Sequence, residues 1–351
     1  MASERLTHID ALRGLAVLLM VLVHAAATWA PSINASPSLG ALVISGLGGL
    51  AAPLFITVFG WGVLRGDSAP RQRWIRAGVL LVCQVVVNLT SPHLFQPFTP
   101  GVLSLLALLV LLQPLWSRPL RETNSPVRIF FGACLGIGLL IGLLPGLQGS
   151  SSWAVRVAAP DFATLLSHAL LTGTYPLVPW VLFALFGGMI AQSESEILVK
   201  MLNRTVVVGV LISSWFLWQS WRTQTVWALP TGEATLTFFP ANIPFLFAAL
   251  TGVALLWRLA LQAFTKAERL ASVGRLSLTA YMVHFVPLTA FQQLEVTYAW
   301  ELNQAGLAAV VYAMLAGVAS AVWFRRCPRW TVEHGLRHLE RIGTLSNNKD
   351  L

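Results

Sequence analysis

The chain is short of charge. Asp, Glu, Lys and Arg make up 11% of its 351 residues, against about 25% in an ordinary soluble domain. Apolar residues reach 56%. Too little polar side chain remains to cover a water-soluble body of this size, so lipid must be the solvent for most of the surface. Cysteine is scarce as well. Cys83 and Cys134 lie in apolar runs and Cys327 in the basic C-terminal region. That is no disulfide framework and no zinc spacing, so no metal is expected. None of the 14 Asp and Glu falls clearly inside an apolar run. The intramembrane carboxylate typical of a proton-coupled transporter is therefore missing, and so are the paired carboxylates of glycoside hydrolysis. A G-x-S-x-G elbow, an H-E-x-x-H pair and a phosphate-binding P-loop are absent too. So is the apolar–polar alternation of a membrane barrel.

What is present is a series of ten apolar runs, near 12–30, 41–64, 74–90, 101–116, 129–148, 176–192, 205–221, 241–257, 276–293 and 304–324. Each is close to the roughly 20 residues a helix needs to cross hydrocarbon. No cleavage pattern follows the first run, which is expected to stay in the mature protein. With ten spans, 21 of the 23 Lys and Arg fall on one side, from Arg5 and Arg13 to Lys349. Only Arg156 and Arg222 lie opposite. The positive-inside rule makes the crowded side cytoplasmic, with both termini inside. The net charge of +9 thus reads as a topology signal, and no nucleic acid partner is expected. The expected fold is all-α and polytopic. Residues 1–324 form a single transmembrane domain and 325–351 a basic cytoplasmic tail.

An ionisable side chain in hydrocarbon is a functional candidate by default. His24 in the first run and His284 in the ninth qualify, with Gln84 in the third. At a rise of about 1.5 Å per residue, His24 lies roughly 18 Å and His284 roughly 12 Å from the inner end of its run. Two imidazoles at similar depth can line one cavity, and imidazole suits general-base work at neutral pH. Alternatively, each bonds a backbone carbonyl or hydroxyl and only helps helices pack. Arg73 and Arg76 form an R-x-x-R pair on one helix face, able to grip one anion or simply to mark topology. Asp10 and Arg13, also three apart, are expected to pair. The Gly-rich 45–50 segment suits close helix packing better than phosphate binding. Trp29, Trp153, Trp180, Trp227 and Phe238 are expected in an interfacial aromatic belt, with stacking on sugar rings as the alternative.

Residues 5–24, RLTHIDALRGLAVLLMVLVH, resemble the opening helix of the transmembrane acyltransferase superfamily, with its D-x-L-R-G…H pattern. APLFITVFGWG at 52–62 resembles the second-helix P-x-F…G segment. The R-x-x-R at Arg73 and Arg76 resembles an arginine motif of the bacterial membrane O-acyltransferase branch. GVLSLLALLVLL at 101–112 and YPLVPWVLFALFGG at 175–188 are similar to helices of the heparan-alpha-glucosaminide N-acetyltransferase-like branch. GRLSLTAYMVH at 274–284 is similar to the late G…Y-x-x-H helix. The pieces run in family order along nearly the whole chain, with that second branch as the nearer one.

The resemblance implies an enzyme of the bacterial inner membrane. It takes an acyl group, acetyl for example, from cytoplasmic acyl-CoA and delivers it to a sugar or glycan hydroxyl or amine outside. The catalytic candidates are His24, His284 and Tyr281, with Gln84 a further polar group for an oxyanion. Arg13, Arg73 and Arg76 are candidates to hold acyl-CoA (acetyl-CoA), the one cofactor-like partner. The glucosaminide branch often carries its working histidine in the first outward loop. Here that loop, 31–40, has Asn34 and no histidine, so the work falls to His24 or the chain is an inactive relative. A transporter or flippase of a small amphipathic substrate is the alternative of another class. Beyond the bilayer and the two substrates, a second copy of the chain is a candidate partner.

Overall fold

In lipid a spanning segment must satisfy its own backbone, which a helix does internally. The computed structural model describes residues 6–30, 39–66, 68–264 and 266–347 and is helical almost throughout. Arg5, Asn34 and Lys349 lie outside the described residues. In chain order the first helices are α1 (Thr7–Thr28), α2 (Leu39–Arg65), α3 (Pro70–Thr90), α4 (Val102–Leu111), α5 (Gln113–Glu122) and α6 (Pro126–Leu143). Next come α7 (Trp153–Val157), α8 (Phe162–Ser167), α9 (Leu177–Gln192), α10 (Ser195–Thr223) and α11 (Ile243–Ala263). The last are α12 (Glu268–Gly274), α13 (Ser277–Val283), α14 (Phe285–Ala290), α15 (Leu294–Tyr298), α16 (Leu302–Arg326) and α17 (Val332–Asn347). Between α10 and α11, β1 (Ala228–Thr231) pairs in parallel with β2 (Leu236–Phe239), the only strands among the described residues.

Seven helices, α1, α2, α3, α6, α10, α11 and α16, are long and apolar enough to cross a membrane. The number rises to nine if two bent pairs each count as one span. One pair is α4 with α5, bent by 62°; the other is 162–172 with α9, bent by 46°. Proline accounts for the first bend, because Pro114 has no N–H for the Val110 carbonyl. Trp116 Nε1 donates instead to the nearby Leu109 carbonyl at 2.8 Å. Pro176 immediately precedes α9 at the second bend. Nine of the ten apolar runs match these elements. The run 276–293 does not. It is divided into α13 and α14 at His284, one turn before Pro287, whose ring crowds the Val283 carbonyl it cannot bond.

The described residues form two compact units. One draws on 1–55, 86–95 and 259–345. At its centre α1 packs against α12, α13 and α16. A Cβ on Gly274 would lie 1.8 Å from the Asp10 carbonyl oxygen, and one on Gly14 would lie 2.2 Å from that of Leu270. Only glycine permits backbones that close. Of the Gly-rich segment, Gly48 rests against Val23. The other unit draws on 56–85, 96–258 and 346–351. Its core is α9, buried along nearly its whole length against α4, α5 and α6. Residues 56–65 of α2 cross α9 through Gly60, against Ala184, and Gly187, against Thr57.

Candidate active site

The site is built in the first unit, where α1 and α13 run side by side. Gly14 meets Gly274, the last residue of α12, where α1 crosses that helix just before α13 begins. His24 lies ten residues beyond Gly14, and His284 ten residues beyond Gly274. Along α1 that offset is a rise of about 15 Å, and the turn at 275–276 followed by α13 brings His284 to the same level. His24 Nδ1 and His284 Nε2 are 3.0 Å apart, and the rings are stacked with 5.2 Å between centroids.

Hydrogen bonding fixes the proton positions. His284 Nδ1 lies 3.2 Å from the Ala280 carbonyl oxygen, one turn back. A carbonyl only accepts, so His284 carries its proton on Nδ1 and presents a lone pair at Nε2. His24 Nδ1 then donates to it, which leaves the lone pair of His24 on Nε2. The Tyr312 hydroxyl donates to the His284 carbonyl at 2.6 Å and holds the backbone at the helix break. His284 and Tyr281 are buried, whereas His24 is half-buried. Phe285 lies 4.7 Å, Tyr281 6.1 Å and Phe95 6.5 Å from the His24 ring, which leaves it an aromatic box on three sides.

A third imidazole lies in the same unit, and the sequence reading did not single it out. His93 follows α3, outside every apolar run. Its Nε2 is 3.2 Å from Thr28 Oγ1, and its Nδ1 is 3.4 Å from Thr289 Oγ1. Thr28 spends its proton on the His24 carbonyl at 2.8 Å and Thr289 on the Thr90 carbonyl at 2.6 Å. Both hydroxyls are left to accept and a neutral ring donates to one of them; the shorter contact, to Thr28, ties the segment after α3 to the end of α1. Burial holds the His93 imidazole below its ordinary value, which favours the neutral ring.

Several expectations change. α1 begins at Thr7, so His24 is 17 residues, or about 26 Å, from the helix start rather than roughly 18 Å, and it lies near the other end. Asp10 is inside α1 and buried. It accepts from Arg13 at 3.3 Å, as expected, and from Arg275 Nε at 3.2 Å. Gln84 accepts from the Leu103 backbone N–H at 3.1 Å, capping α4 over Gly101. Its side-chain oxygen is thus committed to the start of α4. Trp180 is fully buried, and Trp29 is buried with its Nε1 donating to the Phe291 carbonyl at 2.9 Å. Neither belongs to an aromatic belt or a sugar platform. Arg73 and Arg76 stand half-buried in the first two turns of α3, in the second unit. Among the described residues no three His, Cys, Asp or Glu side chains converge as metal ligands.

The family model for an acyltransferase domain matches residues 6–326. This chain belongs to the transmembrane acyltransferase superfamily. No curated protein matches it significantly. Membership makes the protein a membrane enzyme of acyl transfer. It also gives the family motifs a physical reading. Gly14 and Gly274, Gly60 and Gly187, and Gly101 all stand where a neighbouring backbone or side chain leaves no room for a Cβ.

Proposed function

We propose that this acyltransferase moves an acyl group, most simply acetyl, from cytoplasmic acyl-CoA to a hydroxyl or amine of a sugar or glycan on the outer side of a bacterial inner membrane. The observation that carries the reading is the chain from the Ala280 carbonyl through His284 to the half-buried His24, which leaves a lone pair on His24 Nε2. His24 takes the proton from the acceptor as its oxygen or nitrogen attacks the thioester carbonyl. The C–S bond then breaks, and the CoA thiolate recovers the proton from His24. His284 holds the required tautomer and shares the charge that develops on His24. Tyr281, packed beside both rings, is proposed to stabilise the developing oxyanion.

The distribution of Lys and Arg supports an inward N-terminal end of α1. His24 then works close to the outer face, where a glycan arrives. Arg13, about 16 Å back along α1, and, in the other unit, the Arg73–Arg76 pair are proposed as separate candidates to hold a CoA phosphate. The test is His24→Ala in membranes supplied with radiolabelled acetyl-CoA. The variant should insert normally and lose incorporation into carbohydrate by about 10²–10⁴-fold. Incorporation at the wild-type rate removes His24 from the reaction.

A further inference from the structure

Beyond residue 326, where the family match ends, the chain does not trail away from the site. It forms α17, and Glu333 in the first turn of that helix reaches the start of α13. Its Oε1 accepts from the backbone N–H groups of Leu278 at 2.7 Å and Thr279 at 3.2 Å. Its Oε2 accepts from the Thr279 hydroxyl at 2.5 Å. The same hydroxyl oxygen accepts from the Val332 backbone N–H at 2.9 Å. The contact is reciprocal, with the carboxylate satisfying α13 and a threonine of α13 satisfying the start of α17.

This arrangement answers a need of α13. The first N–H groups of a helix have no partner within it, and a side chain just before the helix usually supplies one. Leu276 stands at that position and supplies no cap. Glu333, 55 residues on in sequence from Leu278, supplies it instead, with a full negative charge against the positive end of the helix. α13 has only seven residues before the break at His284, so its ends fix its placement. One end is set by the Gly14–Gly274 crossing and the Glu333 cap. The other carries Tyr281 and His284.

We propose that Glu333 is a positioning residue for acyl transfer: by capping α13 it holds His284 Nε2 in line with His24 Nδ1. The C-terminal helix is then part of the enzyme's working structure rather than a tail. The proposal rests on the His24–His284 reading of the site.

The test uses full-length protein and two readouts. One is the rate of diethyl pyrocarbonate modification at His24 and His284, located by mass spectrometry. The other is kcat and KM for radiolabelled acetyl-CoA in membranes. Glu333→Ala should raise modification of the buried His284 about fivefold or more and lower kcat about tenfold or more, with KM for acetyl-CoA held within about twofold. Glu333→Gln keeps one carbonyl oxygen for the two N–H groups and should recover part of both losses. Thr279→Val should fall between. Arg337→Gln, on the exposed side of α17, should match wild type. Where Glu333→Ala fails to fold, Glu333→Gln and Thr279→Val decide. Wild-type modification and wild-type kcat in both of these overturn the proposal. If His24→Ala transfers acetyl normally while Glu333→Gln still exposes His284, the catalytic reading fails and the cap stands.

Discussion

A methyl group added at residue 274 tests the link between helix crossing and chemistry. In Gly274→Ala the new Cβ would lie 1.8 Å from the Asp10 carbonyl oxygen, 2.8 Å from the carbonyl carbon and 2.8 Å from the Gly14 nitrogen. Each of these atoms is backbone in the first turns of α1, so no side chain can swing away. Bringing the shortest contact to about 3 Å separates the helices by about 1.2 Å. Carried ten residues up the parallel pair, that displacement opens the His24–His284 bond from 3.0 Å to beyond hydrogen-bond range. A misplacement near 1 Å can cost about 100-fold in rate, and overpacking costs roughly 1–3 kcal/mol of stability. The variant should therefore accumulate in membranes at a lowered melting temperature and transfer acetyl 10- to 100-fold more slowly. Gly136→Ala, with open space around the added Cβ, should transfer at the wild-type rate. A Gly274→Ala enzyme as fast as wild type would refute the claim that this crossing sets the imidazole register.

Three further outcomes follow from the geometry. His284→Ala removes the acceptor of His24 Nδ1–H and should slow transfer roughly 10- to 150-fold, the equivalent of about 1.5–3 kcal/mol for a hydrogen bond to a developing charge; His284→Gln should recover part of it, and His24→Ala/His284→Ala should be no slower than His24→Ala alone. Arg156 is buried, with its pKa pushed down to about 10 by desolvation, and donates to the carbonyls of Gln148, Thr172 and Gly173 at 2.6–3.0 Å; Arg156→Ala should strand those carbonyls at about 1–3 kcal/mol each and lower the melting temperature in detergent, with Arg156→Lys intermediate. Arg73→Gln/Arg76→Gln should raise KM for acetyl-CoA about tenfold or more with a smaller change in kcat, and an unchanged KM would return the pair to topology signalling.

The spans were legible because hydrocarbon imposes both length and apolarity on each one. The start of α1 was less so. Thr7, His8, Asp10 and Arg13 look like a polar leader, yet they form the first two turns of the helix. What makes them tolerable there is tertiary, since Asp10 is neutralised by Arg275 from 265 residues away. The level placement of His24 and His284 does have a sequence signal, the shared spacing of nine residues between glycine and histidine in the first and ninth runs. It becomes readable only once Gly14 and Gly274 are known to touch. His93 has no comparable signal, because its partners Thr28 and Thr289 stand 65 and 196 residues away. The cap on α13 was hidden for a similar reason: Glu333 lies in a stretch whose composition reads as a basic surface tail.

The want of a carboxylate beside the imidazoles among the described residues bears on how the site is oriented. A carboxylate behind the base would orient it and stabilise the imidazolium, as in soluble hydrolases. Bringing an unpaired carboxylate into a low-dielectric site costs several kcal/mol unless donors surround it. Here orientation comes from the Ala280 carbonyl acting through the neutral His284, which adds no charge to the resting site. Charge then appears only while His24 holds the acceptor's proton, and His284, 3.0 Å from His24 Nδ1, is the group that shares it. The prolines and glycines around the site serve the same end. Pro287 ends α13 at His284, Gly274 sets the close approach of α12 to α1 just before α13 starts, and together they hold an uncharged relay at the level where a base is needed.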